Sequence, residues 1–89
     1  MQELIANIRE EFQIPPFFPD EGLIRYAEEG KARLISLNPV ADLNTDPTFK
    51  MLLKNYVNYA YHHQVDLWEK NYNSVILSWM LLEPIDKGE

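Results

Sequence analysis

The sequence predicts an all-α fold, a small bundle of three to four helices with a proline-rich connector after the first helix. Apolar residues recur at three- and four-residue spacing through most of the chain, which is the pattern of helices with one buried face. Proline, asparagine and aspartate separate these stretches, as expected of the loops between helices. The 89-residue length is that of one domain. We assign residues 1–82 to a single helical domain and residues 83–89 to a short acidic C-terminal tail.

Helix one is predicted over residues 2–12, because four apolar residues of this segment share one face: Leu4, Ile5, Ile8 and Phe12. The segment QIPPFFP then breaks the helix. Its three prolines fix φ and lack an amide donor, so we expect an extended connector. Phe17 and Phe18 are expected to anchor this connector.

Helix two is predicted from an N-cap at Asp20 to Leu37, where Asn38-Pro39 stops it. Gly30 lies within its apolar stripe, although a glycine inside a helix costs roughly 1 kcal/mol relative to alanine. We therefore expect Gly30 to permit the close approach of another helix. The matching apolar stripe of the next helix indicates that the two pack antiparallel.

Helix three has a clear start, with Asp46 at the N-cap and Pro47 at the first helical position. Its apolar face predicts one uninterrupted helix to about Lys70. The residues assigned to this face are Phe49, Leu52, Leu53, Tyr56, Ala60, His63 and Leu67. Residues 71–73, Asn-Tyr-Asn, are the expected break after it.

The stretch Ser74–Leu82, SVILSWMLL, is predicted to form helix four, with Asn73 or Ser74 as its cap and Pro84 after its end. Seven of its nine residues are apolar. Alternate residues would also suit a strand, but we predict a helix. A helix that is apolar on all sides has to be covered on all sides, and a small domain buries a low fraction of its surface. We therefore expect a second subunit to cover part of this helix.

Composition and charge exclude several classes of protein. The absence of cysteine excludes disulfides and thiolate metal sites. Eight scattered basic residues against fourteen acidic ones give a net charge of −6, which argues against tight DNA binding by the isolated subunit. The N-terminal segment lacks the pattern of a signal peptide, and the C-terminal apolar run is far shorter than the about 20 residues of a bilayer span. We expect a soluble protein made in the cytoplasm, with no membrane contact.

Two patterns resemble metal sites but fail on spacing. Residues 42–46 read D-x-N-x-D, the opening of an EF-hand loop. Proline and leucine occupy its sixth and twelfth positions, which require glycine and a bidentate glutamate, so we expect a loop turn followed by a helix N-cap. His62 and His63 would point about 100° apart on a helix and could not converge on one ion. We expect His63 to be a packed, hydrogen-bonded helix residue.

No spacing in the chain indicates catalysis. Adjacent acidic residues are typical of solvated helix faces and of first helical turns. The serines lie in no nucleophile elbow, and three glycines cannot form a phosphate-binding loop. We therefore predict no catalytic residues, no cofactor and no metal, and conclude that the sequence does not favour an enzyme.

The proline-rich connector and the C-terminal helix carry more bulky apolar side chains than the core of one small domain should accommodate. We predict that the contacts to another subunit or partner include Phe17, Phe18, Trp68, Trp79 and Met80. Aromatic residues and methionine are enriched in protein interfaces. For the aromatic residues flanking the stripe of helix three, packing within the subunit and contact between subunits both stay open. Stacking of single-stranded nucleic acid would need a basic groove, which the sequence does not predict.

Four segments occur in order along residues 5–80: IREEFQIP, DEGLIRYAEEGKARLISL, the AD…TDP loop and LLKNYVNYAYHHQVDLWEKNYNSVILSW. Together they resemble the small head-tail connector proteins of tailed phages and prophages, also called head-completion or adaptor proteins. The resemblance rests most on the IP after helix one, on EEGKARL, on the loop ending in Asp46-Pro47, and on Trp68, Asn71 and Tyr72.

This resemblance implies a mostly helical subunit that forms a homo-oligomeric ring, commonly a dodecamer, beneath the portal protein of the virion. It implies that the ring extends the DNA channel, lets DNA pass without sequence-specific binding and offers a docking surface for tail or stopper proteins. The family has no catalytic residues to carry over to this chain.

The residues leave open a second class, a small acidic regulatory or inhibitory binding protein encoded by a phage. Such a protein could act as a DNA mimic or as a helix-turn-helix regulator. A DNA mimic usually has a denser acidic face than a charge of −6 over 89 residues provides. A helix-turn-helix regulator needs a basic recognition helix. The connector is therefore the preferred hypothesis.

Overall fold

A computed structural model of the chain describes residues 2–82, and these residues form four helices without a strand. The helices are α1 (Gln2–Phe12), α2 (Asp20–Leu37), α3 (Pro47–Tyr61) and α4 (Val65–Leu82). The all-α prediction is confirmed, and the bounds of α1 are as predicted. Pro84 and the acidic tail 83–89 lie outside the described residues.

The first helix packs through Leu4, Ile5 and Ile8 onto the rest of the bundle. The connector after it is a turn and not the extended segment that its prolines suggested. The amide of Phe18 donates to the carbonyl of Pro15 at 3.1 Å, which closes a turn over residues 15–18. Proline fits the early positions of such turns because its φ is already set.

The second helix begins at Asp20, but the prediction of Asp20 as N-cap is wrong. Pro19 takes the N-cap position in an extended conformation, and no side chain caps this end. The carboxylate of Asp20 accepts instead from Nε of Arg9 at 2.9 Å. It therefore ties the start of α2 to the last turn of α1, where its charge also suits the positive end of the helix dipole.

Helices α2 and α3 run antiparallel, as predicted, and side chains of α3 pack directly against Gly30. The ring centroid of Phe18, before the start of α2, lies 4.9 Å from the ring centroid of Tyr61 at the end of α3. A Cβ added at Gly30 would lie 2.6 Å from the Tyr56 ring and 3.0 Å from Leu53. The glycine therefore gives space to the side chains of α3, which confirms its predicted role.

The third helix ends at Tyr61, so the prediction of one helix to about Lys70 is wrong. His63 adopts a left-handed conformation with φ 59°, and the amide of Gln64 donates to the carbonyl of Tyr59 at 2.8 Å. Both features close a helix in the manner of a C-terminal cap. A new helix, α4, starts at Val65 and passes through residues 71–73 without a break. Neither Asn73 nor Ser74 is therefore a cap.

This early break changes which residues of α4 face the core. Leu67 was assigned to the buried face but is 41% exposed, whereas its neighbour Trp68 is 1% exposed. His63 is also exposed and not packed. Residues 75–82 are helical, which resolves the choice between helix and strand. The break, and not the apolar pattern of a continuous helix, sets the orientation of the last helix.

Candidate functional site

Trp79 joins the end of α4 to the start of α3. Its Nε1–H donates to Oδ2 of Asp46 at 2.7 Å, while Oδ1 of the same carboxylate accepts from the amides of Thr48 and Phe49 at 3.0 and 3.2 Å. The ring centroids of Trp79 and Phe49 are 5.4 Å apart. Asp46 therefore caps α3, as predicted, and also holds the buried tryptophan of α4.

The second tryptophan, Trp68, is held within the same subunit. Its Nε1–H donates to the carbonyl of Leu52 at 3.2 Å, and its ring meets that of Tyr56 edge-on at 4.9 Å. The guanidinium of Arg33 lies 5.7 Å from the Trp68 ring centroid and also pairs with Glu69. A cation over an indole face adds attraction, so α2 and α4 are linked above the buried ring.

The five residues predicted at an interface separate into three groups by exposure. Trp68 and Trp79, 1% and 6% exposed, pack inside the subunit and leave little side-chain surface for a partner. Asp46 and Phe49 contact Trp79 within the same chain. Phe18 and Met80 are half-buried against the core. Phe17 is 84% exposed. The interface role of each of the five residues stays a prediction.

Arg9 organises the turn that presents Phe17. Its Nη1 donates to the carbonyl of Pro15 at 2.9 Å, and its Nη2 donates to the carbonyl of Phe18. Together with the bond to Asp20, one guanidinium thus holds two carbonyls of the connector and the first residue of α2. This role of Arg9 was not predicted from the sequence. A signal was available, because a basic residue in the last turn of a helix preceded a segment of prolines whose carbonyls had no regular partners.

An apolar groove of about 580 Å³ runs between α2 and α4 and is called the α2–α4 groove below. Its apolar side chains are Leu37, Ile76, Leu77 and Met80, with Trp68 between the helices. Its charged residues are Arg33, Asp66, Glu69 and Lys70. Leu77 is 50% exposed, and Leu81 is also exposed. An apolar floor with a polar rim is the usual composition of a protein-binding surface.

The loop before α3 has the geometry of a turn. Oδ1 of Asp42 accepts from the amide of Asn44 at 3.0 Å, and the carbonyl of Asp42 accepts from the amides of Thr45 and Asp46. This confirms the loop-and-cap interpretation of the D-x-N-x-D pattern. Within residues 2–82, no group of three or more acidic or histidine side chains could hold a metal ion. The predicted absence of metal, cofactor and catalysis stays a prediction.

Two tyrosines have perturbed acidity. Burial and then the nearby Glu29 carboxylate raise the pKa of Tyr56 above its usual value, and its hydroxyl donates to Oε1 of Glu29 at 3.2 Å. Burial and then the neighbouring Tyr59 raise the pKa of Tyr72. Both phenols stay neutral through the physiological range. They contribute packing and hydrogen bonds, and not a reactive oxyanion.

The chain matches no protein-family model, no curated protein and no solved structure. Among the described residues, none of the helices is both long enough and apolar enough to cross a bilayer. Over residues 2–82 the chain is a four-helix bundle, and its exposed apolar features include the Phe17 turn and the α2–α4 groove.

Proposed function

We propose that the chain is a structural subunit of a phage or prophage virion, a head-tail connector or adaptor. In this role it is made in the bacterial cytoplasm, self-assembles into a ring below the portal protein and remains at the head-tail junction. The ring extends the DNA channel and gives tail or stopper proteins a docking surface. The subunit itself performs no chemistry.

The observation that carries the proposal is the exposed apolar surface at the end of α4. Leu77 of the α2–α4 groove and Leu81 are exposed although the two tryptophans already fill the interior. A monomer this small gains nothing from leaving such side chains in water, because apolar area removed from water contributes about 25 cal/mol per Å². Coverage by another protein chain accounts for them. The resemblance of the four sequence segments supports a connector as the particular assembly.

The charge of the chain suits a channel through which DNA moves. With a net charge of −6, the subunit lacks the clustered cations that hold a polyanion. An acidic lining repels the phosphate backbone and so lets DNA slide. The paired cations support this, because Arg9, Arg33 and Lys54 each form an ion pair with a carboxylate of the same chain.

The test of the proposed function is binding to the portal protein encoded in the same genome. Purified portal rings are mixed with the chain and analysed by light scattering and native mass spectrometry. We expect several copies of the chain to bind each portal ring, in a number set by the ring symmetry. A portal ring that gains no mass at excess subunit would refute the proposal. Inhibition of a DNA-binding protein by the chain would favour the regulatory alternative.

A further inference from the structure

Phe17 is an exposed aromatic side chain on a rigid support. It is 84% exposed, yet the turn that presents it is closed by the Phe18–Pro15 hydrogen bond and clamped by Arg9. Pro16 and Pro19 restrict the backbone on either side. Holding an aromatic group in place before binding lowers the entropy lost on binding. The turn therefore has the properties of an interface anchor.

The α2–α4 groove lies at the opposite end of α2 from this anchor. Phe17 precedes the first residue of α2, whereas Arg33 and Leu37 of the groove belong to its last turns. The 18 residues of α2 span about 27 Å. Phe17 therefore cannot enter the groove of its own subunit, but the two surfaces can meet between copies.

Charge favours this approach locally, because the groove lining carries two basic and two acidic side chains, whereas the whole chain carries a net charge of −6. Glu21 lies beside the Phe17 turn, where it lines a shallow depression with Pro16 and Phe18. Lys70 is one of the two basic residues that line the α2–α4 groove. Within residues 2–82, neither Glu21 nor Lys70 forms an ion pair. Acidic copies repel one another over most of their surface, so a carboxylate facing an ammonium favours this approach over others.

We propose that the occupant of the α2–α4 groove is the Phe17 turn of a second copy of this chain. Phe17 lies against Leu37, Leu77 and Met80 of the next subunit, and Glu21 faces its Lys70. Because the two surfaces differ, the contact is head-to-tail and each subunit keeps one surface for a further copy. Such a contact closes into a ring or continues as a filament. This inference rests on the proposed assembly role and names the surfaces that carry it.

The decisive experiment combines two variants that each lose one surface. Phe17→Asp removes the anchor and keeps the groove, whereas Leu77→Asp places a charge in the groove and keeps the anchor. Sedimentation velocity is measured for the wild type, for each variant and for their equimolar mixture, up to near-millimolar concentration. We expect the wild type to oligomerise and each variant alone to associate about 100-fold more weakly. The mixture should form dimers and nothing larger, because only one pair of intact surfaces remains.

The matched control is Leu67→Asp, which changes an exposed leucine of α4 that does not line the groove. This variant should assemble as the wild type does. A charge test is independent of the apolar residues: Lys70→Glu should weaken association several-fold, and Glu21→Lys in the same chain should restore it. Circular dichroism melts of all variants show whether each one folds.

The outcomes separate clearly. Dimers in the mixture, together with rescue by the exchanged charges, support the head-to-tail contact. A wild type that stays monomeric, a mixture without dimers, or single variants that still oligomerise would each overturn it. Failure to bind portal would refute the connector function and leave this contact intact, since self-association is measured without portal. Portal binding by a chain that forms no head-to-tail contact would support the connector function and overturn the proposed contact.

Discussion

Replacing Asp46 should destabilise the bundle strongly for a loop substitution. The side chain caps α3 through Oδ1 and holds the indole of Trp79 through Oδ2. Loss of an N-cap costs about 1 kcal/mol, and loss of a hydrogen bond to a charged group costs about 1.5 kcal/mol or more. Asp46→Ala should therefore lower the free energy of unfolding by about 2.5 kcal/mol. Small domains have total stabilities of about 5–15 kcal/mol, so the effect is large.

Asp46→Asn separates the two roles. The amide oxygen can still cap α3, but the NH₂ group that replaces Oδ2 cannot accept from the indole. We expect Asp46→Asn to lower the free energy of unfolding by about 1.5 kcal/mol, because it removes only the hydrogen bond from the Trp79 indole. Asp42→Ala, in the same loop but without an indole partner, is the control and should cost less than either change at Asp46.

The assay is urea unfolding followed by circular dichroism, arranged as a double-mutant cycle with Trp79→Phe. Residues that share a hydrogen bond should show a coupling energy of at least about 1 kcal/mol. A coupling near zero, with Asp46→Asn as stable as the wild type, would show that the bond between α3 and α4 contributes nothing in solution. The account of Trp79 as a hydrogen-bonded core residue would then be wrong.

Three further predictions concern the close helix contact, a tyrosine and the connector. Gly30→Ala should destabilise the bundle by about 1–3 kcal/mol despite the better helix propensity of alanine, because the added methyl group would overlap the Tyr56 ring. Gly22→Ala is the comparison, since its methyl group would meet only the outer edge of an aromatic ring. Equal melting temperatures for the two variants would contradict the prediction. Because the pKa of Tyr56 is raised in the folded state, its contribution to stability is complete below the usual tyrosine pKa and is lost as the pH rises through the folded value. Tyr56→Phe should therefore flatten the alkaline loss of stability, measured by urea unfolding from neutral pH to above pH ~10, and an unchanged slope would refute the assignment. Arg9→Met should release the connector and speed its cleavage by a protease of low specificity, while Arg25→Met should not.

Local chemistry made much of the fold predictable. Asp46-Pro47 is a strong helix start, and the structure has the cap and the first helical residue at these positions. Gly30 was informative because its unfavourable propensity required a packing reason, which the side chains of α3 supply. In both cases the deciding interactions involve neighbouring residues or one facing helix.

The predictions that proved wrong concern residues whose structure depends on a tertiary contact or on a rare backbone conformation. The break at His63 carries neither glycine nor proline, although histidine is among the residues that enter the left-handed region more often than most. Aspartate is a favourable N-cap residue, but Pro19 occupies the N-cap position of α2, and the Asp20 carboxylate accepts a hydrogen bond from Arg9 instead. The α2–α4 groove could not be foreseen, because its lining depends on the rotation of α4 after the break.

The three residues between α3 and α4, 62–64, therefore act as a spacer of fixed length. The link is tight, because the amide of Gln64 donates to the carbonyl of Tyr59 at 2.8 Å and the amide of Leu67 donates to the carbonyl of Gln64 at 3.0 Å. One insertion here would carry Trp68 away from the carbonyl of Leu52 and Trp79 away from Asp46 together, since both lie on the same rigid rod. Length variation among natural or engineered forms of this protein should accordingly accumulate in the loop of residues 38–46, where a longer path can still return to the same cap. The short link should keep its length even where its residues change.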